Sequence, residues 1–250
     1  MRKIALLLIV FSLFSFSFQE KKKITIWMCG DSTMSIKDTK AYPETGWGMP
    51  FVFFWDSTVR IENRAKNGRS TKTFITENLW LGVIDHVKEG DYVFIQFGHN
   101  DEAKEKTERY TTPDEYKSNI RKFISETRNK KGIPVLFTPV SRRRFNSEGN
   151  AIETHTEYSA LVREVAETEK LLLIDLDKKT MDLYQQFGKE NSRWLFLQLK
   201  PGEHPNYPDG RDDNTHFNEL GARLVAQLAL AELKIIFPDL ADRMIKPVIK

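Results

Sequence analysis

The sequence predicts an α/β fold in which a parallel sheet is covered by helices on both faces. Short apolar runs of strand length alternate along the chain with longer segments of helical pattern. Neighbouring parallel strands need a long crossover, usually a helix, so this alternation favours a parallel sheet. The 250 residues contain no internal repeat, low-complexity segment or linker. We therefore expect one domain, from about residue 23 to residue 250.

Five apolar runs are typical of buried strands, because each is short and rich in β-branched or aromatic residues. They are Ile24–Cys29, Val59–Asn63, Tyr92–Phe97, Ile133–Thr138 and Leu171–Asp175. In open α/β sheets the ligand lies at the carboxyl ends of the strands. The residues that directly follow these runs are therefore the first candidates for a functional site.

Helical patterns occupy four segments: Pro113–Lys131, Thr154–Lys170, Leu176–Gly188 and Phe217–Phe237. Proline favours the first turn of a helix and glycine its end, which supports bounds at Pro113 and Gly132 for the first segment. An apolar stripe is typical of a helix that packs on a core. In the last segment one such stripe contains Phe217, Leu220, Leu224, Leu228 and Ile235.

Residues 1–19 have the layout of a secretory signal peptide. Arg2 and Lys3 precede the apolar run Ile4–Phe11, and alternating serine and phenylalanine continue to Phe18. A charged start followed by such a run is the pattern of a leader. The alternative is an uncleaved membrane anchor, but the run is shorter than the ~20 apolar residues that span a bilayer. We expect a secreted or periplasmic protein with no membrane span in its mature form.

The charge and the cysteine content bear on nucleic-acid binding and on disulfide formation. The formal charge is +3, and loss of Arg2 and Lys3 with the leader leaves 3 − 2 = +1. Net charge therefore gives no case for nucleic-acid binding. The single cysteine, Cys29, cannot form an intrachain disulfide. It ends an apolar run, where we expect a buried small side chain rather than a reactive thiol.

The stretch "GDSTM" follows the first strand and contains Ser32. Glycine, aspartate and serine are common turn formers, so one interpretation is an ordinary turn. The other is a serine nucleophile held at the end of a buried strand. That second interpretation requires a base, an acid that orients the base, and donors for an oxyanion.

The stretch "DDNTHF" offers a base and an acid, because Asp213 and His216 are three residues apart. On a tight turn or a first helical turn, this spacing places both side chains on the same side. The carboxylate can then bind one imidazole nitrogen and leave the other free to take a proton from serine. The alternative is Asp213 as a helix cap and His216 as a surface residue.

Two further stretches that follow strands offer oxyanion donors. Asn100 in "FGHND" carries a side-chain NH₂, and Gly68 in "NRAKNGRS" lets its backbone N–H approach a ligand closely. Each alone could be a turn or loop residue. A parallel sheet would bring all four stretches to one edge, however, and this joint placement favours catalysis.

Together the motifs "GDSTM", "NRAKNGRS", "FGHND" and "DNTHF" resemble those of the SGNH (GDSL) hydrolase superfamily. The resemblance implies a flavodoxin-like three-layer α/β/α sandwich. It implies Ser32 as nucleophile, His216 as general base and acid, and Asp213 as the residue that orients His216. It also implies an oxyanion hole formed by the N–H of Ser32, the N–H of Gly68 and the side chain of Asn100. No metal or organic cofactor is implied, and the five histidines show no tight metal-ligand spacing.

Within the superfamily, the sequence most resembles those of rhamnogalacturonan acetylesterases. The similar stretches are "ETGWGMPF", "QFGHND", "FTPVSRRRF" and "NYPDGRDDNTHFNELGA". This resemblance implies removal of acetyl groups from a pectic polysaccharide or oligosaccharide. The alternatives are a deacetylase of xylan or another glycan, a lipase or thioesterase, and a non-catalytic carbohydrate-binding protein on the same scaffold. The oligomeric state stays open.

Three residues near these motifs are candidates for contact with a sugar substrate. Arg69 follows Gly68, and Arg143 is in the arginine run 142–144 after a strand. An arginine fork suits the carboxylate of a uronic acid. Trp47 in "GWG" either packs in the core or lines a sugar subsite. We also expect His99, beside Asn100, to be a structural hydrogen-bonding residue.

Overall fold

The computed structural model of the chain describes residues 21–246. The predicted signal peptide lies outside the described residues, and so it stays a prediction. Within the described range, strands and helices alternate as the sequence predicts.

A five-stranded parallel sheet forms the middle layer. Its strands are β1 (Ile24–Gly30), β2 (Val59–Asn63), β3 (Tyr92–Gln96), β4 (Ile133–Phe137) and β5 (Leu173–Ile174). Their spatial order is β2-β1-β3-β4-β5, and each neighbouring pair is parallel. The chain therefore winds outward in both directions from the boundary between β1 and β3. Open α/β sheets bind ligands at such a switch point.

Helices cover both faces of this sheet. They are α1 (Thr71–Thr76), α2 (Leu79–Ile84), α3 (Pro113–Asn129), α4 (Thr156–Thr168), α5 (Leu176–Asn191), α6 (Glu219–Ile236) and α7 (Pro238–Ala241). Successive side chains of a strand point to opposite faces. In β1, Trp27 and Cys29 accordingly pack with residues of α1 to α4, whereas Ile26 and Met28 pack with residues of α5 to α7. The three-layer α/β/α sandwich is confirmed.

Beyond the central sheet, a separate antiparallel pair is formed by β6 (Phe196–Leu199) and β7 (Arg211–Phe217). The sequence predicted neither strand, because β7 consists mostly of polar residues and has no apolar run. The fourth predicted helical segment, Phe217–Phe237, therefore starts two residues too early. Phe217 is the last residue of β7, and α6 begins at Glu219.

The buried face of α6 differs from the predicted stripe. Leu220 and Ile235 of that stripe are 50% and 76% exposed. The buried face is instead built mainly from small residues: Gly221, Ala222, Val225, Ala226, Ala229, Leu230 and Leu233. Small side chains let a helix approach its neighbours closely. The predicted stripe is therefore correct in part: Phe217 is buried and Leu224 and Leu228 pack against the core, whereas Leu220 and Ile235 are exposed.

Candidate active site

The predicted site segments meet at the carboxyl edge of the sheet. Ser32 lies two residues beyond β1, and Asn100 follows β3, its neighbour in the sheet. Gly68 lies in the loop after β2, on the other side of β1. Because β1 and β3 flank the switch point, Ser32 and Asn100 lie on either side of it.

The structure brings Ser32, His216 and Asp213 together in a hydrogen-bonded chain. Oγ of Ser32 lies 2.9 Å from Nε2 of His216. Nδ1 of His216 lies 2.9 Å from Oδ2 of Asp213. With its proton on Nδ1, His216 donates to the carboxylate and presents an acceptor to the serine hydroxyl. This is the arrangement by which a histidine can activate a serine.

A bulge in β7 produces this geometry. Phe196 pairs with Phe217, but the next residue of β6, Leu197, pairs with Asp213. The three residues between Asp213 and Phe217 are therefore extra on β7. Oδ1 of Asp213 accepts the backbone N–H groups of Thr215 and His216 at 2.8 and 3.0 Å, which closes the bulge. The predicted proximity of Asp213 and His216 is thus achieved by a turn inside a strand, and not by the first turn of a helix.

These contacts also keep Asp213 ionised. Burial on its own would raise the pKa of this carboxyl. The hydrogen bond from His216, the positive charge that His216 can carry, and the two backbone N–H groups outweigh burial and lower the pKa of Asp213 below its usual value. A carboxylate so stabilised can hold an imidazolium during a reaction.

Three groups near Ser32 have free donor capacity. The backbone N–H groups of Ser32 and Gly68 have no acceptor among the described residues. Gly68 has φ of +74°, in the left-handed region that glycine tolerates. Asn100 is 8% exposed, and its Nδ2 donates to the carbonyl O of Arg69 at 3.0 Å. An amide nitrogen carries two protons, so one remains for a ligand.

Trp47 does not line a sugar subsite, because it is fully buried. Its indole N–H donates to Oε1 of Gln96 at 2.6 Å, and Nε2 of Gln96 donates to Oγ1 of Thr33 at 2.9 Å. Oγ1 and the backbone N–H of Thr33 both donate to Oδ1 of Asp31. Trp47 therefore supports, from beneath, the turn that carries Ser32.

Arg143 holds two segments of the chain together. Its guanidinium donates to Oγ of Ser192 at 2.9 Å, to Oδ1 of Asn214 at 2.8 Å and to the carbonyl of Lys189. The group also lies over the ring of Phe145. Arg143 therefore fastens the loop after β4 to β7, and three of its five N–H groups are used in doing so.

Other arginines lie near the edge of the site: Nη1 of Arg109 lies 3.5 Å from the carbonyl O of Gly68, and Arg211 pairs with Oδ2 of Asp213 at 3.4 Å. Arg69 pairs with Glu77 at 2.9 Å. Arg142 is 36% exposed, pairs with Glu102 at 3.0 Å, and lies 3.4 Å from Oγ1 of Thr215. Since Thr215 directly precedes His216, Arg142 contacts a residue beside the Ser32–His216–Asp213 chain, as Arg143 does through Asn214.

His99 is held mainly by packing. Neither ring nitrogen makes a hydrogen bond of ordinary geometry within the described part of the chain, and the one backbone contact that acts on its pKa as a hydrogen bond is with Val140. The ring stacks edge-to-face on His155 at 4.2 Å. Burial, followed by the neighbouring charges of His155 and Arg142, lowers the pKa of His99 well below its usual value. His99 is thus a neutral packing residue behind Asn100.

Sequence reasoning also missed a buried lysine. The side chain of Lys37 contacts Ser32, Glu44 and Asn67 beside the nucleophile turn. In the polar stretch "SIKDTK" it resembles an ordinary solvated lysine, and no signal in the chain marked it. Cys29 is buried as expected, and burial raises the pKa of its thiol.

Across residues 21–246, no three histidine, cysteine, aspartate or glutamate side chains cluster as metal ligands. In the same range, no helix is both long enough and apolar enough to cross a bilayer.

Comparison with known proteins agrees with this geometry. The chain is 38% identical to the rhamnogalacturonan acetylesterase RhgT of Bacillus subtilis, over 90% of this chain and 96% of that protein. The crystal structure of protein YxiM from B. subtilis superposes with a TM-score of 0.74 and 28% identity, over 86% of this chain and 57% of the YxiM chain. An acetylxylan esterase of Geobacillus stearothermophilus shares the fold, with a TM-score of 0.59 and 18% identity, over 85% of this chain and 94% of that one.

The match to a family model confirms the predicted resemblance to the SGNH (GDSL) hydrolases. The GDSL-like Lipase/Acylhydrolase family matches residues 29–224, which include Ser32, Gly68, Asn100, Asp213 and His216. The chain belongs to the GDSL-like Lipase/Acylhydrolase family.

Proposed function

We propose that this chain is a carbohydrate O-acetylesterase with Ser32 as its nucleophile. The observation that carries the proposal is the hydrogen-bonded chain from Oγ of Ser32 through His216 to Asp213. A second support is the presence of free donors on three strand-end segments around Ser32. The rhamnogalacturonan acetylesterases and acetylxylan esterase among its relatives favour an acetyl ester of a sugar.

In the acylation half, Oγ of Ser32 attacks the carbonyl carbon of the acetyl group while its proton passes to Nε2 of His216. The carbonyl oxygen becomes an oxyanion, which the N–H groups of Ser32 and Gly68 and the amide of Asn100 bind. When the intermediate collapses, the bond to the sugar oxygen breaks, and that oxygen takes the proton from His216. The sugar leaves, and Ser32 carries the acetyl group.

Deacylation repeats these steps with water. His216 accepts a proton from water as the water oxygen attacks the acetyl carbon, and the same donors bind the oxyanion. Collapse releases acetate and returns the proton to Ser32. Throughout both halves Asp213 stays ionised and stabilises the imidazolium, which its lowered pKa allows.

We further propose that the substrate is pectic rhamnogalacturonan and that the protein acts outside the cytoplasm. A rhamnogalacturonan chain carries carboxylates, and the partly exposed guanidinium of Arg142 beside Thr215 offers a local cation. The apparent leader at residues 1–19 and the name of RhgT support these two points. Acetylated xylan is the main alternative substrate, given the fold shared with an acetylxylan esterase.

The test is acetate release from acetylated rhamnogalacturonan, acetylated xylan and a neutral aryl acetate. The wild-type protein should release acetate from the neutral aryl acetate and, among the two polymers, faster from acetylated rhamnogalacturonan than from acetylated xylan. Ser32→Ala should abolish release while leaving the melting temperature nearly unchanged. Near-normal turnover by Ser32→Ala would refute the mechanism. Faster release from xylan by the wild type would make acetylated xylan the proposed substrate, and would not contradict the mechanism at Ser32.

A further inference from the structure

Lys37 lies five residues after Ser32, and its side chain is only 2% exposed. Its Nζ donates to the backbone carbonyl O of Ser32 at 2.5 Å and to Oδ1 of Asn67 at 2.9 Å. Nζ also pairs with Oε1 of Glu44 at 2.7 Å. An ammonium group has three protons, so every one has an acceptor here. Burial of such a charge is costly unless it is paired and hydrogen-bonded, and this arrangement meets both conditions.

The two oxygens that Lys37 joins belong to different segments of the site. The Ser32 carbonyl is part of the turn after β1, and Asn67 lies in the loop after β2, directly before Gly68. Lys37 therefore connects the nucleophile turn to the loop that carries an oxyanion donor.

Ser35 strengthens the same connection. Its Oγ lies 2.5 Å from Oδ1 of Asn67 and 3.2 Å from the carbonyl O of Ser32. A hydroxyl has one proton, and the shorter distance favours donation to Asn67. Ser35 itself belongs to the nucleophile turn, so its hydroxyl and the ammonium of Lys37 both join that turn to the loop that carries Gly68.

The spacing of these segments matters because of what the oxyanion needs. The N–H groups of Ser32 and Gly68 must converge on a single oxygen, at about 2.7–3.1 Å from each. A misplacement of about 1 Å in a reacting group can reduce the rate roughly a hundredfold. Asn100 already binds the other side of the loop through the carbonyl of Arg69. The loop is therefore held from both sides.

We propose that Lys37 is a positioning residue: it holds the backbone of Ser32 at the distance from the Gly68 loop at which both N–H groups reach one oxyanion. This inference rests on the proposed function, because it assumes that Ser32 reacts through such an intermediate. Lys37 does not touch the reacting atoms in this role. It acts through the carbonyl of Ser32 and the side chain of Asn67.

A purely structural role for Lys37 would predict something different. Removal of the ion pair with Glu44 would then lower stability, and turnover by the folded protein would stay the same. Glu44→Gln tests this point, since it removes the charge of Glu44 but leaves both donations from Lys37 in place. Lys40→Met is the matched lysine control, because Lys40 is exposed in the adjacent short helix and its side chain makes no contact with Ser32 or Asn67.

The experiment measures kcat and KM for a neutral aryl acetate, at a temperature well below each variant's melting temperature. Lys37→Met should lower kcat roughly ten- to a hundredfold, with KM within about threefold of the wild type. Glu44→Gln should lower the melting temperature comparably but lose much less of kcat. Lys40→Met should match the wild type. If Lys37→Met does not fold, Lys37→Gln decides, because it also lacks the ammonium group and avoids an apolar side chain beside Glu44.

The inference is overturned if a folded Lys37 variant keeps the wild-type kcat, or if Glu44→Gln loses kcat as much as Lys37→Met does. Ser32→Ala, assayed in parallel, separates this outcome from failure of the proposed function. If the wild type shows no hydrolysis that depends on Ser32, the esterase proposal itself fails. If hydrolysis depends on Ser32 but not on Lys37, only the positioning role fails.

Discussion

At the residue scale, the pH dependence of activity should depend on His216 rather than Asp213. Asp213 stays ionised through neutral and mildly acidic pH, since its pKa lies below the usual value. His216 must be neutral to accept the proton of Ser32. Activity should therefore fall as acidification protonates His216, and should reach a plateau at higher pH.

The measurement is kcat/KM for a neutral aryl acetate between about pH 4 and 9, since kcat/KM reports groups of the free enzyme. Circular dichroism at each pH controls for unfolding. A profile that stays flat across the range would contradict a histidine base.

Asn100 offers a second test at this scale. Asn100→Ala removes one oxyanion donor and should lower kcat roughly a hundred- to a thousandfold. Asn206→Ala is the matched control, because it also removes amide donations to backbone carbonyls, those of Thr39 and Tyr42. The control should keep its kcat. Equal losses in the two variants would contradict a specific role of Asn100 as an oxyanion donor.

The sequence predicted the residues of the site only where a motif specified them. Ser32, Asp213 and His216 were found because each lies in a stretch whose position relative to a strand or helix could be judged. Trp47 was misjudged because residue type does not reveal burial, and the core encloses it. Residue type does not reveal partners either, and Arg143 directs three of its five donors to Ser192, Asn214 and Lys189.

At the scale of elements, two glycines in helices should respond oppositely to the same substitution. A Cβ on Gly221, in α6, would lie 1.9 Å from the carbonyl O of Leu195. A Cβ on Gly82, in α2, would meet no atom within 4 Å. Gly221→Ala should therefore lower the free energy of unfolding by roughly 1–3 kcal/mol through overpacking. Gly82→Ala should raise it by roughly 0.5–1 kcal/mol, since alanine is the better helix former.

Urea unfolding of both variants and the wild type gives the two free-energy changes. Each glycine serves as the control for the other, because the chemical change is identical. Stabilisation by Gly221→Ala would mean that α6 can move away from the turn before β6 at little cost.

The sequence could predict some elements and not others, because only some of them are determined by their own composition. Four strands of the central sheet are mostly apolar because both their faces are covered, so composition identifies them. The edge strand β2 alternates apolar and charged residues, and its Arg60 is exposed. The face of α6 is set by how near its backbone lies to Leu195, which no periodicity reports. Strand β7 is held by pairing with β6 and by the hydrogen bonds of Asp213, so its polar sequence carries no strand signal.

At the scale of the whole molecule, the charge distribution bears on how a polyanionic substrate could be held. Without Arg2 and Lys3 of the predicted leader, the formal charge is only 3 − 2 = +1. A molecule so nearly balanced has no bulk field that would draw in a pectic chain. Attraction must then come from cations at the carboxyl edge of the sheet, where Arg142 lies partly exposed beside Thr215.

Arg142→Gln should therefore raise KM for acetylated rhamnogalacturonan and change the hydrolysis of a neutral aryl acetate by less than about threefold. Added salt should weaken the reaction of the wild type with the polymer in the same selective way, because exposed charges are screened within about 10 Å at 0.1 M salt. Arg60→Gln is the control: Arg60 is 75% exposed and lies near the amino end of β2, at the opposite edge of the sheet. If the polymer reaction responds neither to salt nor to Arg142→Gln, or responds equally to Arg60→Gln, then the carboxylates of the substrate are not recognised at this edge. A neutral acetylated glycan such as xylan would then fit the site better.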